Sequence, residues 1–241
     1  MEQIFESRQT VVPSLTDASG RLSIPAVFAM FMDAATLHAQ GLSVGPAEMT
    51  AKQLFWLTVK TQIRFFERPY LLEPVTVRTW PEAPGKVRAL RSYQLLRGET
   101  VLAVGKTEWA VMHTGTGRLA PLDGLFPAGL AFDRPTACPE PFALIPDAGD
   151  WEAYGTHRVS SADIDLGGHM NNVAYIRALL GGFGNNELKA LRIARMDAVF
   201  RSPCFEGETL TLEKRASETG LHLRAAKADG TTALLAAVEK R

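Results

Sequence analysis

The chain has 241 residues, 46% of them hydrophobic and 22% charged, and its 26 basic residues are balanced by 26 acidic ones. That length accommodates one large domain or two small ones with a sizeable buried core, and the even charge excludes a nucleic-acid face or polybasic membrane anchor as the organising feature. The two cysteines, Cys138 and Cys204, lie far apart, form no metal-type pair and read as free thiols of a reducing compartment.

The opening residues, MEQIFESRQT, are charged and lack an apolar segment. No signal peptide is expected there, no stretch reaches bilayer-spanning length, and the expected compartment is the cytoplasm. A strand is predicted over 5–12. Ser23 as cap, Pro25 just inside the start and Gly41 as stop then predict a helix. Its Val27, Met30, Phe31, Ala34 and Leu37/His38 recur at helical spacing and form one buried face. Strands follow over 55–66, 74–80, 88–96 and 101–113, separated by turn signals at Pro84-Gly85, Arg97-Gly98-Glu99 and Gly115-Thr116-Gly117. Pro121, Pro127, Pro135, Pro139, Pro141 and Pro146 mark residues 121–150 as an extended linker across a surface.

The remainder repeats this order in shorter form, with a strand over 156–160, a helix over 171–180 and strands over 192–200, 209–215, 221–226 and 234–238. A faint internal repeat accompanies it: Phe66-Glu67-Arg68-Pro69 leads into Val75-Thr76-Val77, and Phe200-Arg201-Ser202-Pro203 into Thr209-Leu210-Thr211. One helix followed by several antiparallel strands, twice over, is an α+β arrangement. The segments are 1–120 and 151–241, joined by 121–150.

The run from Asp163 to Tyr175, DIDLGGHMNNVAY, carries the chemistry. Asp165 and His169 fall in a Gly-rich loop just before a helix, where Gly167 and Gly168 let backbone approach a ligand. The N–H groups near Met170, Asn171 and Asn172 would face a developing oxyanion at the helix N-terminus, while Asp165 and His169 orient or activate a water. The competing reading makes Asp165 and Asn171 loop-forming and capping residues only. Gly41-Leu42-Ser43-Val44-Gly45 matches a nucleophile elbow in letters, but a helix precedes it where that motif needs a strand. Cys204 is either a nucleophile or a small buried thiol, and the second reading is preferred. His38 reads as a core histidine and Glu48 as structural. His113, His157 and His222 have no metal-ligand spacing.

The same run resembles the signature of the acyl-acyl-carrier-protein thioesterases. LSVGPAEMTAKQLFWLTVK (42–60) and VRTWPEAPGKVRALRSYQLLRGETVLAVGKTEWAVM (77–112) resemble that family's Glu-Met, Leu-x-Trp and Thr-Trp-Pro segments in the same order. The resemblance implies two tandem hot-dog domains, each a long helix wrapped by a curved antiparallel sheet. It implies hydrolysis of fatty acyl thioesters of acyl-carrier protein, with water as nucleophile and no metal or organic cofactor. The N-terminal half would shape the acyl pocket and the C-terminal half hold the catalytic groups. Asp165 and His169 match family catalytic positions. Gly167 stands where the family has a catalytic Asn, and Pro203, before Cys204, where the plant branch has Glu. A coenzyme-A thioesterase of the same fold and a non-catalytic acyl-binding protein are the alternatives; a hot-dog hydratase spaces its Asp and His differently. Acyl chain length stays open, as does the choice between monomer and homodimer.

Overall fold

The computed structural model describes residues 3–241; Met1 and Glu2, at the head of the charged stretch read above, lie outside the described residues. Two compact units divide the chain, Met1–Glu140 and Pro141–Arg241, so the boundary falls inside the proline-rich stretch. No helix among the described residues is long and apolar enough to cross a membrane.

In the first unit the elements are β1 (Phe5–Thr10), α1 (Ile24–Gly41), α2 (Pro46–Ala51), β2 (Leu54–Phe65), β3 (Pro74–Pro81), β4 (Ala89–Arg97), β5 (Thr100–His113) and β6 (Leu119–Ala120). The strands form an antiparallel sheet in the order β1-β3-β4-β5-β2, with β6 beside β5. Ser23 Oγ accepts the Ala26 N–H at 3.2 Å and starts α1. Pro25 fits its first turn because the N–H it lacks would have had no intrahelical partner. The helix buries Val27, Phe28, Met30, Phe31, Ala34, Ala35 and His38. Phe31 stacks on Tyr93 of β4 with centroids 4.8 Å apart. Gly105 of β5 makes that approach possible, since a Cβ there would stand 2.8 Å from the Phe31 ring. The short α2 was not expected, because six residues are too few to show helical periodicity.

In the second unit β7 (Glu152–Arg158), α3 (Asn172–Gly181), α4 (Asn185–Ala190), β8 (Ile193–Phe200), β9 (Thr209–Ser217), β10 (Gly220–Ala226) and β11 (Thr232–Lys240) follow in order. Their sheet is antiparallel, β8-β11-β10-β9-β7. The strand predicted over 156–160 lies earlier. Ser160 leaves the ladder because its N–H and hydroxyl both donate to the Asp163 carboxylate at 2.9 Å.

Residues 121–150 contain no helix or strand, yet they are firmly placed. In the first unit they cross the sheet strand by strand. Trp80 of β3 donates to the Pro135 carbonyl at 3.1 Å, and Ser92 of β4 accepts the Ala137 N–H at 2.9 Å. Gln62 of β2 accepts from the Cys138 thiol, and Lys106 of β5 donates to the Glu140 carbonyl. In the second unit Arg195 and Asp197 of β8 hold Pro141 and Ala143. Thr232 of β11 and Arg224 of β10 reach Asp147, and Arg215 of β9 donates to the Pro146 and Ala148 carbonyls. An extended chain has backbone groups without ladder partners, and buried ones must be matched. That requirement explains why Gln62, Ser92, Lys106, Asp197 and Thr232 are buried in otherwise apolar strands.

Trp151 ends this strap between two guanidinium groups, with Arg215 at 4.1 Å and Arg224 at 4.9 Å from its ring. Trp151→Ala is expected to cost about 1–2 kcal/mol in urea denaturation, two partly exposed cation–π contacts, and to open residues 141–151 to limited proteolysis. An unchanged digestion pattern would show that the strap is held without it.

Candidate functional site

The loop that carries Asp165 and His169 begins with a 3₁₀ turn, Ser161–Asp163, and ends at the Asn171 cap of α3, whose side chain accepts the Val173 N–H at 2.8 Å. Asp165 Oδ1 accepts the Gly167 N–H at 2.8 Å and folds the loop back on itself. Gly168 then takes φ 75°, a left-handed conformation that glycine adopts at little cost, and donates to the Asp165 carbonyl at 3.0 Å. The Asp165 N–H in turn reaches the His169 carbonyl at 3.1 Å.

The first unit contains the same loop, residue for residue. A 3₁₀ turn spans Pro13–Leu15, Asp17 Oδ1 accepts the Ser19 N–H at 2.8 Å, Gly20 has φ 72°, and Ser23 caps α1. Asp17 and Arg21 thus stand where Asp165 and His169 stand in the second unit. Burial works against the Asp17 carboxylate, but hydrogen bonds from Ser19 and Arg68 hold it below the ordinary carboxylate range. An aspartate at this point is therefore a property of the fold, and His169 is what distinguishes the second loop.

Asp165 and His169 are both part-exposed, with Oδ1 and Nδ1 4.0 Å apart. Gly167 lies between them. Its φ is outside the left-handed region, and an added Cβ would stand 3.0 Å from His169 Nε2 and 3.1 Å from Asp165 Oδ1. A side chain at 167 would thus point at both polar groups.

The backbone donors differ from the expectation. The Met170 N–H donates to the Cys204 carbonyl at 2.8 Å and the Asn171 N–H to the Asp163 carbonyl at 2.7 Å. The amides of Gly167 and Gly168 are likewise committed to Asp165. The turns that shape the loop consume the N–H groups that an oxyanion hole at Met170 and Asn171 would need.

Cys204 brings its backbone, not its thiol, to the loop; the residue is 0% exposed. Burial pushes the thiol above its ordinary pKa, against the opposing pull of the Tyr175 hydroxyl and Lys227. A buried, protonated thiol is a poor nucleophile. Glu208, which the sequence reading missed, supplies a carboxylate on the same segment. It accepts the Phe205 N–H at 2.9 Å and pairs with Lys227 at 3.3 Å. Lys227 also donates to the Pro203 carbonyl at 2.6 Å. His157 was also left unassigned; its Nε2 lies 3.1 Å from Asp163 Oδ2, with Ser160 on the same oxygen. A cleft of about 250 Å³ lined by His157, Arg177 and Gly182 includes neither Asp165 nor His169. Ser43 follows α1 with φ 56° and has no strand before it, so the elbow geometry is not formed.

Comparison with known proteins agrees with this architecture. Family models described as the acyl-ACP thioesterase N-terminal and C-terminal domains match residues 2–124 and 152–238. Oleoyl-acyl carrier protein thioesterase 2, chloroplastic, of Arabidopsis thaliana is 28% identical over 140 residues, covering 53% of this chain and 38% of its own. Thioesterase 1 of that plant is 24% identical, covering 71% and 51%. The chain thus spans about half or less of the length of these curated relatives. Among solved structures, an acyl-ACP thioesterase from Bacteroides thetaiotaomicron is 20% identical with a TM-score of 0.86, covering 99% of this chain and 98% of that one. The 12:0-ACP thioesterase from Umbellularia californica is 19% identical with a TM-score of 0.83, covering 100% and 98%. These structures share the hot-dog fold with both halves of the chain.

Asp165→Asn keeps an oxygen for the Gly167 N–H, whereas Asp165→Ala removes it. The alanine variant is expected to lose about 1 kcal/mol of stability, as when a capping oxygen is deleted, and the asparagine variant about half that or less. Chemical denaturation of both decides the matter; equal losses would place the contribution in the charge rather than in the turn.

Proposed function

This chain belongs to the acyl-ACP thioesterase family, and on that premise we propose that it hydrolyses fatty acyl thioesters of acyl-carrier protein, releasing the free acid and the carrier thiol. The observation that carries the proposal is the loop before α3, which presents His169 to solvent beside the carboxylate of Asp165. Water is the nucleophile in this reading. His169 takes its proton as the oxygen bonds to the acyl carbon and returns that proton to the sulfur as the C–S bond breaks. Asp165 stabilises the imidazolium between the two steps. The N-terminal unit holds the acyl chain and the C-terminal unit performs the hydrolysis. The two buried free cysteines favour a reducing compartment, which we take to be the cytoplasm.

Because Gly167 brings no side-chain amide and the Met170 and Asn171 N–H groups are committed, two of the three backbone donors expected for the tetrahedral oxyanion are spent. One such donor contributes about 10²–10³ in kcat, so slow turnover is expected.

The test is thiol release from acyl-carrier-protein and acyl-coenzyme-A substrates of graded chain length, without added metal. Hydrolysis is expected, with a preference for the carrier protein, and His169→Ala should lower kcat by about 10²–10⁴ while the protein stays folded. Acyl binding without thiol release would instead make this an acyl-binding protein.

A further inference from the structure

The two loops share a backbone frame but not the side chains that hold it. The Val159 N–H donates to the Glu208 carbonyl at 2.8 Å, as the Val11 N–H does to Glu73 at 3.0 Å. The Met170 N–H reaches Cys204 at 2.8 Å, as the Leu22 N–H reaches Pro69 at 2.8 Å. The Asn171 N–H reaches Asp163 at 2.7 Å, as the Ser23 N–H reaches Leu15 at 2.8 Å. An isolated bridge closes each loop, Ile164 with Met170 and Thr16 with Leu22.

On this common frame His157, Ser160 and Asp163 stand where the first unit has Gln9, Val12 and Leu15. Oδ2 of the buried Asp163 collects three donors: the Ser160 N–H and hydroxyl, both at 2.9 Å, and His157 Nε2 at 3.1 Å. Val12 and Leu15 have no polar side-chain atoms, and the first 3₁₀ turn begins without a side-chain cap hydrogen bond. The fold therefore builds this loop without a polar cluster, and the cluster accompanies only the loop that carries His169.

Burial works against the Asp163 carboxylate, but hydrogen bonds from Ser160 and His157 hold it below the ordinary carboxylate range. An ionised carboxylate only accepts, so His157 Nε2 carries a hydrogen whether the ring is neutral or charged. Apolar burial of a leucine is non-directional, whereas a satisfied set of hydrogen bonds fixes both distance and direction. Asp163 is also where the two arms of the loop cross, because its carbonyl holds the Asn171 N–H. Asp165 lies two residues beyond that crossing and His169 two residues before Asn171. Ser160 is local to the turn; His157 belongs to β7 and ties the crossing to the sheet.

We propose, resting on the thioesterase reading above, that His157 is a positioning residue: through Asp163 it fixes the loop on β7, so that His169 and Asp165 meet the thioester in one geometry. It acts on Asp163 and not on the substrate.

The experiment compares His157→Leu, which removes the donor, with His157→Gln, which restores one and is the first unit's own residue at this place. On acyl-carrier-protein substrate His157→Leu is expected to lower kcat by about 10²-fold, the cost of a misplacement of about 1 Å, with KM unchanged, and His157→Gln to recover most of that loss. Unchanged kcat in His157→Leu, or a loss that glutamine does not recover, overturns the proposal. His157→Gln, Ser160→Val and Asp163→Leu together copy the first loop. Removing all partners of a polar cluster at once is nearly neutral for stability, so this variant is expected to fold with the wild-type Tm and with kcat as low as that of His157→Leu. If it fails to fold, or folds with wild-type kcat, the proposal falls. Hydrogen exchange of the Gly167 and Gly168 amides, both bonded to Asp165, reads the loop without turnover. Faster exchange is expected in His157→Leu. If that is seen and wild type cleaves no thioester, the tie to β7 holds and the thioesterase reading fails; unaltered exchange rejects the tie whatever the activity.

Discussion

A carboxylate oxygen 2.8 Å from the amide two residues further on closes the turn before each long helix, at Asp17 and again at Asp165. That hydrogen bond shapes the loop that leads into the caps of α1 and α3, Ser23 and Asn171. It also aims the residue four positions on. In one unit that residue is Arg21 and in the other His169, so a single turn geometry serves as scaffold in both and presents an imidazole in only one. The same economy limits the chemistry. A loop that satisfies itself by turning its amides inward has few left for a substrate oxygen.

The main elements were legible because their signals are local. The cap at Ser23, the proline inside α1 and the period-2 strands all depend on near neighbours, and the observed bounds fall within a few residues of those expected. The covering of the second sheet face was not legible in detail. Prolines marked 121–150 as extended, but what binds it is Gln62, Ser92, Lys106 and Asp197. Their partners are distant backbone groups that leave no periodic trace. The short α2 and α4 were invisible for the related reason that six residues carry no period.

The site was legible as a set of residues, less so as an arrangement. Asp165, Gly167 and His169 do share one loop, while the Cys204 thiol is turned into the core. Glu208 escaped notice because its place at Cys204 follows from a turn, not from a motif. The twin loop escaped because DASGR and DLGGH share only an aspartate and one glycine, although backbone geometry needs little more than those two.

In the proposed reaction water, activated by His169, attacks the thioester with no covalent intermediate on the chain. Rapid-quench mass spectrometry of the intact protein during a single turnover in ¹⁸O-labelled water tests this most directly. The expected result is unmodified protein at every time point and ¹⁸O in the released acid from the first turnover. An acyl adduct on Cys204, Ser43 or Asp165, or a first-turnover acid lacking the label, would contradict it.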